Sequence, residues 1–176
     1  MMQTKAEIIE GLEAEGAAAV ALLEAAPPEQ FSQSPAGKWS PGTQADHLVR
    51  SAKPVNLALR LPGLLIGLRF GTADRPSGDY DAVVGKYVAS LEAGGKASGP
   101  YVPPAVRAEQ QAATIAALRK QYARLSAGVA PWSEAQLDRY FLPHPLIGKL
   151  TVREVLFFTH YHTRHHLDSI RALNTG

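Results

Sequence analysis

The sequence predicts an all-α protein, a four-helix bundle with a long crossover between helices 2 and 3. Three observations lead there. Apolar residues recur at helical spacing in four separate stretches, each bounded by capping residues, prolines or glycines. No alternating strand pattern of any length is present, and no internal repeat is detectable. A chain of 176 residues, 45% apolar and 19% charged, is long enough for one well-buried core and short for two, so residues 1–176 read as a single domain.

The first helix is expected over residues 5–26, where Ile9, Leu12, Leu22 and Leu23 lie in an alanine-rich stretch that ends at Pro27 and Pro28. Alanine there permits close approach of a neighbouring helix. Ser40 and Pro41 mark the next start, since serine caps the free amides and proline suits the first turn; this helix runs from about 41 to 61. Gly63 to Ser77 reads as a connector, Asp79 to Glu92 as a short helix stopped by Gly94 and Gly95, and GGKASGPYVPP as a loop. Pro104 opens the third long helix, in which Ile115, Leu118, Tyr122 and Leu125 share a face and which Gly128 to Pro131 close. Ser133 caps one more turn. YFLPHPLIGKL, with two prolines and a glycine, is an ordered loop or short extended segment. Thr151 then caps the last helix, with Glu154 completing a capping box.

Composition narrows the function. The formal net charge is +2, from 18 basic and 16 acidic residues without a basic run, so no nucleic acid and no membrane surface is expected as partner. The most apolar window, Leu57 to Phe70, is broken by Arg60, Pro62, Gly63 and Arg69 and is too short to span a bilayer. The N-terminal residues carry acids where a secretory signal needs a basic start, which makes a cytoplasmic location the expectation. With no cysteine in the chain, any metal must be held by imidazole and oxygen.

Four of the six histidines fall in the run HYHTRHH, from His160 to His166. At about 100° per residue, Val155, His162, His166 and Leu173 lie on one line of the last helix, flanked by Phe158, Thr159, Ser169 and Ile170. Arg153, Arg164 and Arg171 lie opposite, as a solvated stripe. His162 and His166, one turn apart, therefore point into the bundle, while His160 faces the back, His165 the flank, and both read as surface or interface residues. A hydrogen-bonded core pair is the alternative to a metal-binding pair, and the HExxH pattern is absent, because Thr163 follows His162. His47 shifts the balance. It shares a strip of the second helix with the small residues Thr43, Ser51, Pro54 and Ala58, beside a core strip of Leu48, Val55 and Leu59. A metal held by His47, His162 and His166 has three neutral nitrogen ligands and an open position, the stoichiometry of a catalytic site. Zinc and nickel both suit such ligands. His144, stiffened by Pro143 and Pro145, reads as a surface loop residue with reach to the mouth of the pocket, Asp46 as a surface or supporting residue, and Asp168 as an outer-face residue.

Three segments, WSPGTQADHLVRS (39–51), PHPLIGKLTVRE (143–154) and FFTHYHTRHHLDSI (157–170), resemble the DinB/YfiT-like metalloenzyme superfamily, in particular its DinB_2-type domain. The resemblance implies an up-down-down-up four-helix bundle and a divalent metal bound by His47, His162 and His166. It also implies a homodimer acting on a small-molecule substrate. The family includes thiol S-transferases, which implies a low-molecular-weight thiol as a cosubstrate, and no residue set in this chain selects one thiol over another. The expected function is thus metal-dependent transfer or hydrolysis, with the metal activating a thiol or water. The alternative is a non-catalytic metal-binding stress-response protein in which the ion staples the bundle.

Overall fold

The computed structural model describes residues 2–35 and 37–174. Eight α-helices and one hairpin follow in chain order among the described residues: α1 (Lys5–Glu24), α2 (Pro28–Ser32), α3 (Pro41–Leu59), α4 (Gly63–Phe70), α5 (Tyr80–Glu92), α6 (Gln111–Val129), α7 (Glu134–Arg139), β1 (Phe141–His144), β2 (Gly148–Thr151) and α8 (Val152–Asn174). The four long helices are α1, α3, α6 and α8. Helix α6 packs against both α1 and α3, and α8 packs against α1 with α5 on another flank. Their buried faces, among them Leu12, Leu48, Leu118, Leu125, Leu156 and Leu167, form one continuous apolar cluster.

Local chemistry sets the boundaries. Thr4 and Glu7 close a capping box at the start of α1. Gly16 admits the ring of Tyr122, which a Cβ there would approach to 2.7 Å, so α1 and α6 lie close at this point. The Ser40 hydroxyl accepts the Thr43 amide at 3.1 Å, with Pro41 in the first turn of α3. At α8 the Thr151 hydroxyl accepts the Glu154 amide at 3.2 Å while the Glu154 carboxylate accepts the Thr151 amide at 2.7 Å, the reciprocal box expected from the sequence.

Four expectations need correction. Residues 63–70 form a helix inside the expected connector: Pro62 occupies the N-cap and Gly71, at φ 97°, the exit, so the two residues read as breakers punctuate a helix. The third long helix starts at Gln111, after a 3-10 turn at Ala108–Gln110, instead of at Pro104. Buried Val106 is tied to α3 there, its amide donating to the Thr43 hydroxyl at 3.4 Å. Strands are present after all: β1 and β2 pair antiparallel from Phe141 opposite Thr151 to His144 opposite Gly148, in the segment read as loop or extended. Finally, Arg153 is buried, not solvated. It sits in the first turn of α8, beneath α7, and its guanidinium donates to Asp138, Glu134 and the carbonyl of Gln3. Arg164 and Arg171 are exposed as expected.

Glu154 ties the crossover to the bundle. Its fully buried carboxylate accepts two bonds from Arg75, at 2.7 and 2.8 Å, and one from the Gly78 amide at 2.7 Å. Burial alone would raise this carboxyl, but the Arg75 guanidinium and the two amides outweigh it and hold the group below its ordinary value. Glu154→Ala is expected to lower unfolding stability by about 3 kcal/mol, toward the low end for a broken buried pair because Arg75 is partly exposed. Arg119→Ala, which breaks the exposed pair with Glu24, is expected to cost less than about 1 kcal/mol in the same denaturant titration.

Candidate metal centre

Helix α8 brings His162 and His166 one turn apart with ring centroids 4.7 Å apart, and α3 brings His47 to 4.9 Å from each. All three rings are buried. Their Nε2 atoms converge: 3.1 Å between His47 and His162, and 3.2 Å between His162 and His166. Nitrogens bound at roughly 2.0–2.1 Å to one tetrahedral ion lie about 3.3 Å apart, so this spacing fits a single divalent ion.

The outer nitrogens decide what those Nε2 atoms present. Nδ1 of His47 lies 2.7 Å from the carbonyl oxygen of Tyr101, which can only accept, so the proton sits on Nδ1 and Nε2 carries a lone pair. Nδ1 of His166 lies 2.9 Å from Gln44 Oε1, and the Gln44 amide nitrogen donates to the Trp39 carbonyl at 3.2 Å, which orients the amide and fixes the same tautomer. Two inward lone pairs thus face Nε2 of His162. A proton there can be shared between them; a cation satisfies all three nitrogens. Burial is the main cause that pushes all three histidines below their ordinary value, and at His162 and His166 mutual repulsion among the imidazoles adds to it. Neutral imidazole is the form that ligates metal.

Beside the cluster lies a cavity of about 300 Å³, lined by His47 and His162 and by Ser51, Pro54 and Ala58, the small strip read from α3. Its other walls come from α5, the crossover, the hairpin and α8. Phe158 stacks on His162 at 4.9 Å and Trp39 leans on His47 at 5.0 Å, so aromatic rings hold the imidazoles in place.

The remaining histidines divide differently from expectation. His144 is a half-buried wall of the cavity, not a surface loop residue, because the hairpin folds it against Phe158 with ring centroids 4.2 Å apart. His160 is largely buried against α5 and accepts from or donates to the Tyr80 hydroxyl at 2.9 Å, so it belongs to packing and not to the surface. His165 sits on the flank of α8, its ring 5.4 Å from that of His166. Asp46 pairs with Arg50 at 2.8 Å, its charge acting on neighbouring His47, and Asp168 pairs with Arg171 at 2.8 Å; neither belongs to the three-histidine group. Sequence reasoning missed Gln44 and Tyr101. Gln44 was discoverable, since it lies three residues before His47 and shares its face. Tyr101 acts through its backbone and left no signal.

Long packed helices and an internal three-histidine cluster define the class: a helical bundle with a candidate divalent-metal centre. The chain belongs to the DinB superfamily, whose DinB_2 model matches residues 12–170 and so includes all three histidines. A solved structure of YfiT from Bacillus subtilis, described as "a probable metal-dependent hydrolase with an unusual four-helix bundle topology", aligns at TM-score 0.63 and 18% identity over 97% of this chain and 86% of that chain. At that identity the likeness is one of fold. No curated protein matches the chain significantly. Among the described residues no helix is long and apolar enough to cross a membrane.

A pH dependence follows from the depressed histidines. Below their ordinary value of 6.5 the unfolded imidazoles take up protons that the buried ones refuse, so the unfolded state gains and stability is lost as pH falls from 6.5 toward the folded values. Metal-free protein is expected to have a lower denaturation midpoint at about pH 5.5 than at about pH 7.5, measured in chelator-containing buffer. An unchanged midpoint contradicts the burial of neutral imidazoles.

Proposed function

We propose that the chain is a divalent-metal-dependent enzyme in which His47, His162 and His166 hold zinc or nickel, and that its substrate is a small molecule. One observation carries the reading: Nε2 lone pairs on His47 and His166 are fixed from outside by an oxygen acceptor and aimed, with Nε2 of His162, at one point beside a cavity. An ion held by these three histidines would supply Lewis-acid chemistry toward water or a low-molecular-weight thiol. The protein does the rest. Tyr101 and Gln44 hold His47 and His166 in orientation, and Phe158 and Trp39 fix the rings. Among the described residues no aspartate or glutamate lines the cavity. The description of YfiT supports the hydrolytic form of the reaction, and the superfamily resemblance supports the thiol-transfer form.

The up-down-down-up order of the long helices and a homodimer complete the reading. Exposed Leu57, Leu64, Leu65 and Leu68 at the end of α3 and on α4 support self-association, since so dense a leucine surface is costly in water. Light scattering at the mass of two chains is the expected result, and a single-chain mass retires the dimer.

Purified protein is expected to carry about one divalent ion per chain by elemental analysis, as a three-histidine site requires. His47→Ala and His162→Ala are expected to lose it, and His160→Ala to keep it. Turnover in a metal-replete panel of thiol–electrophile pairs and hydrolysable esters and amides is expected to fall with the ion in the first two variants and to persist in the third. Full metal content in both His47→Ala and His162→Ala overturns the assignment.

A further inference from the structure

The cavity beside the histidine cluster has a chemistry of its own. Ala58, Phe70, Leu91, Leu142, Val155 and Phe158 give it apolar walls. Among the described residues that line it, Lys96 is the one Lys, Arg, Asp or Glu, and it is exposed. A ligand that fills this space must therefore be mostly apolar away from the histidine cluster, and in metal-free protein any charge it bears is best kept near the solvent side.

Polar side chains also line it, among them Ser51, Tyr87, Ser98 and the cluster's His47 and His162, and His144 is one whose proton position the structure fixes. His144 ends β1, and its Nδ1 accepts the backbone amides of Leu146 and Ile147, each at 3.2 Å. An amide can only donate, so Nδ1 carries the lone pair and the proton of the neutral ring is on Nε2. Burial pushes this histidine down to about 4, which keeps the ring neutral at physiological pH. Protonation of Nδ1 would also break both amide bonds, so His144 is not available there as a base. Among the described residues Nε2 of His144 has no hydrogen-bond partner, and it is not one of the buried atoms sealed without one, Asn56 Oδ1 and Ser126 Oγ. It is thus an accessible N–H on a ring that lines an apolar cavity. The same Phe158 that packs against His144 at 4.2 Å stacks on His162 at 4.9 Å, so donor and histidine cluster are held by one shared side chain.

We propose that the cavity binds an apolar carbonyl compound, of the ester, amide or ketone class, whose oxygen accepts the Nε2–H of His144. His144 is then a positioning residue: it orients the carbonyl within the cavity that the three histidines adjoin. The proposal deepens the metal-dependent reading and rests on it for the chemistry that follows, while binding itself needs only the cavity and the N–H.

The test uses the full chain as purified, and again after metal removal. Calorimetric titration compares benzylacetone with butylbenzene, in which a methylene replaces the carbonyl, and with the anion 3-phenylpropionate. The ratio of ketone to hydrocarbon affinity is expected to be about tenfold higher with the His144 N–H present than without it, the worth of one hydrogen bond made in an apolar site. His144→Phe keeps an aromatic wall and is expected to remove that gain while leaving butylbenzene binding within about twofold, and His144→Gln, which restores an N–H, is expected to recover part of it. Butylbenzene binding also reports whether the cavity is intact in each variant. Long-range proton–nitrogen spectra are expected to show the His144 proton on Nε2 and its signal to move with benzylacetone. A ketone-to-hydrocarbon affinity ratio unchanged in His144→Phe, tighter binding of 3-phenylpropionate than of the ketone by metal-free protein, or a proton on Nδ1 overturns the proposal. A ratio that still depends on His144 in protein without metal upholds it even where elemental analysis has rejected the metal centre, so the two readings fail separately.

Discussion

Two hydrogen bonds on the outside of the histidine cluster govern what its inside presents. The Tyr101 carbonyl and the Gln44 side-chain oxygen each accept a hydrogen bond from the Nδ1–H of a buried imidazole, which leaves the lone pair on the inward nitrogen. Burial then keeps the rings neutral by making the imidazolium form unfavourable. Two lone pairs meeting a third imidazole nitrogen at 3.1 and 3.2 Å make a convergent set of donors, and a divalent ion held there would replace lost hydration with nitrogen ligands. Reversing either tautomer would turn a donor of electron density into an N–H and undo the cluster.

The fold serves that constraint from several directions. Helical periodicity aims His162 and His166 from α8, and the capped start of α3 sets His47 and Gln44 on one face. The crossover is more than a connection. Its 3-10 turn at Gly99–Tyr101 delivers the carbonyl that orients His47, and Arg50 reaches the neighbouring Pro100 carbonyl at 3.4 Å. At its other end Arg75 and Gly78 are bound to Glu154 at the start of α8. The hairpin adds His144 to the cavity wall, its tautomer fixed by the amides of Leu146 and Ile147.

The sequence carried the centre further than it carried the fold's periphery. His162 and His166 were legible because a 3.6-residue period leaves one face for them, and His47 because small residues beside it signalled space. Arg153 was misread because phase around a helix says nothing of what covers one end of it; α7 folds over that turn and supplies Asp138 and Glu134. Helix α4 was hidden since Pro62 and Gly71 mark a helix's ends with the same residues that mark a loop. The position of His144 depends on a hairpin pairing of four residues per strand, too short for an alternation to register. Tyr101 acts through its backbone, which no side-chain pattern encodes.

X-ray absorption on protein loaded with one equivalent of zinc or nickel tests the central claim most directly. Three imidazole nitrogens around the ion are expected, at roughly 2.0–2.1 Å if it is zinc, falling to two in His47→Ala. A coordination shell of oxygen atoms without imidazole scattering, or one that His47→Ala leaves unchanged, would contradict the account.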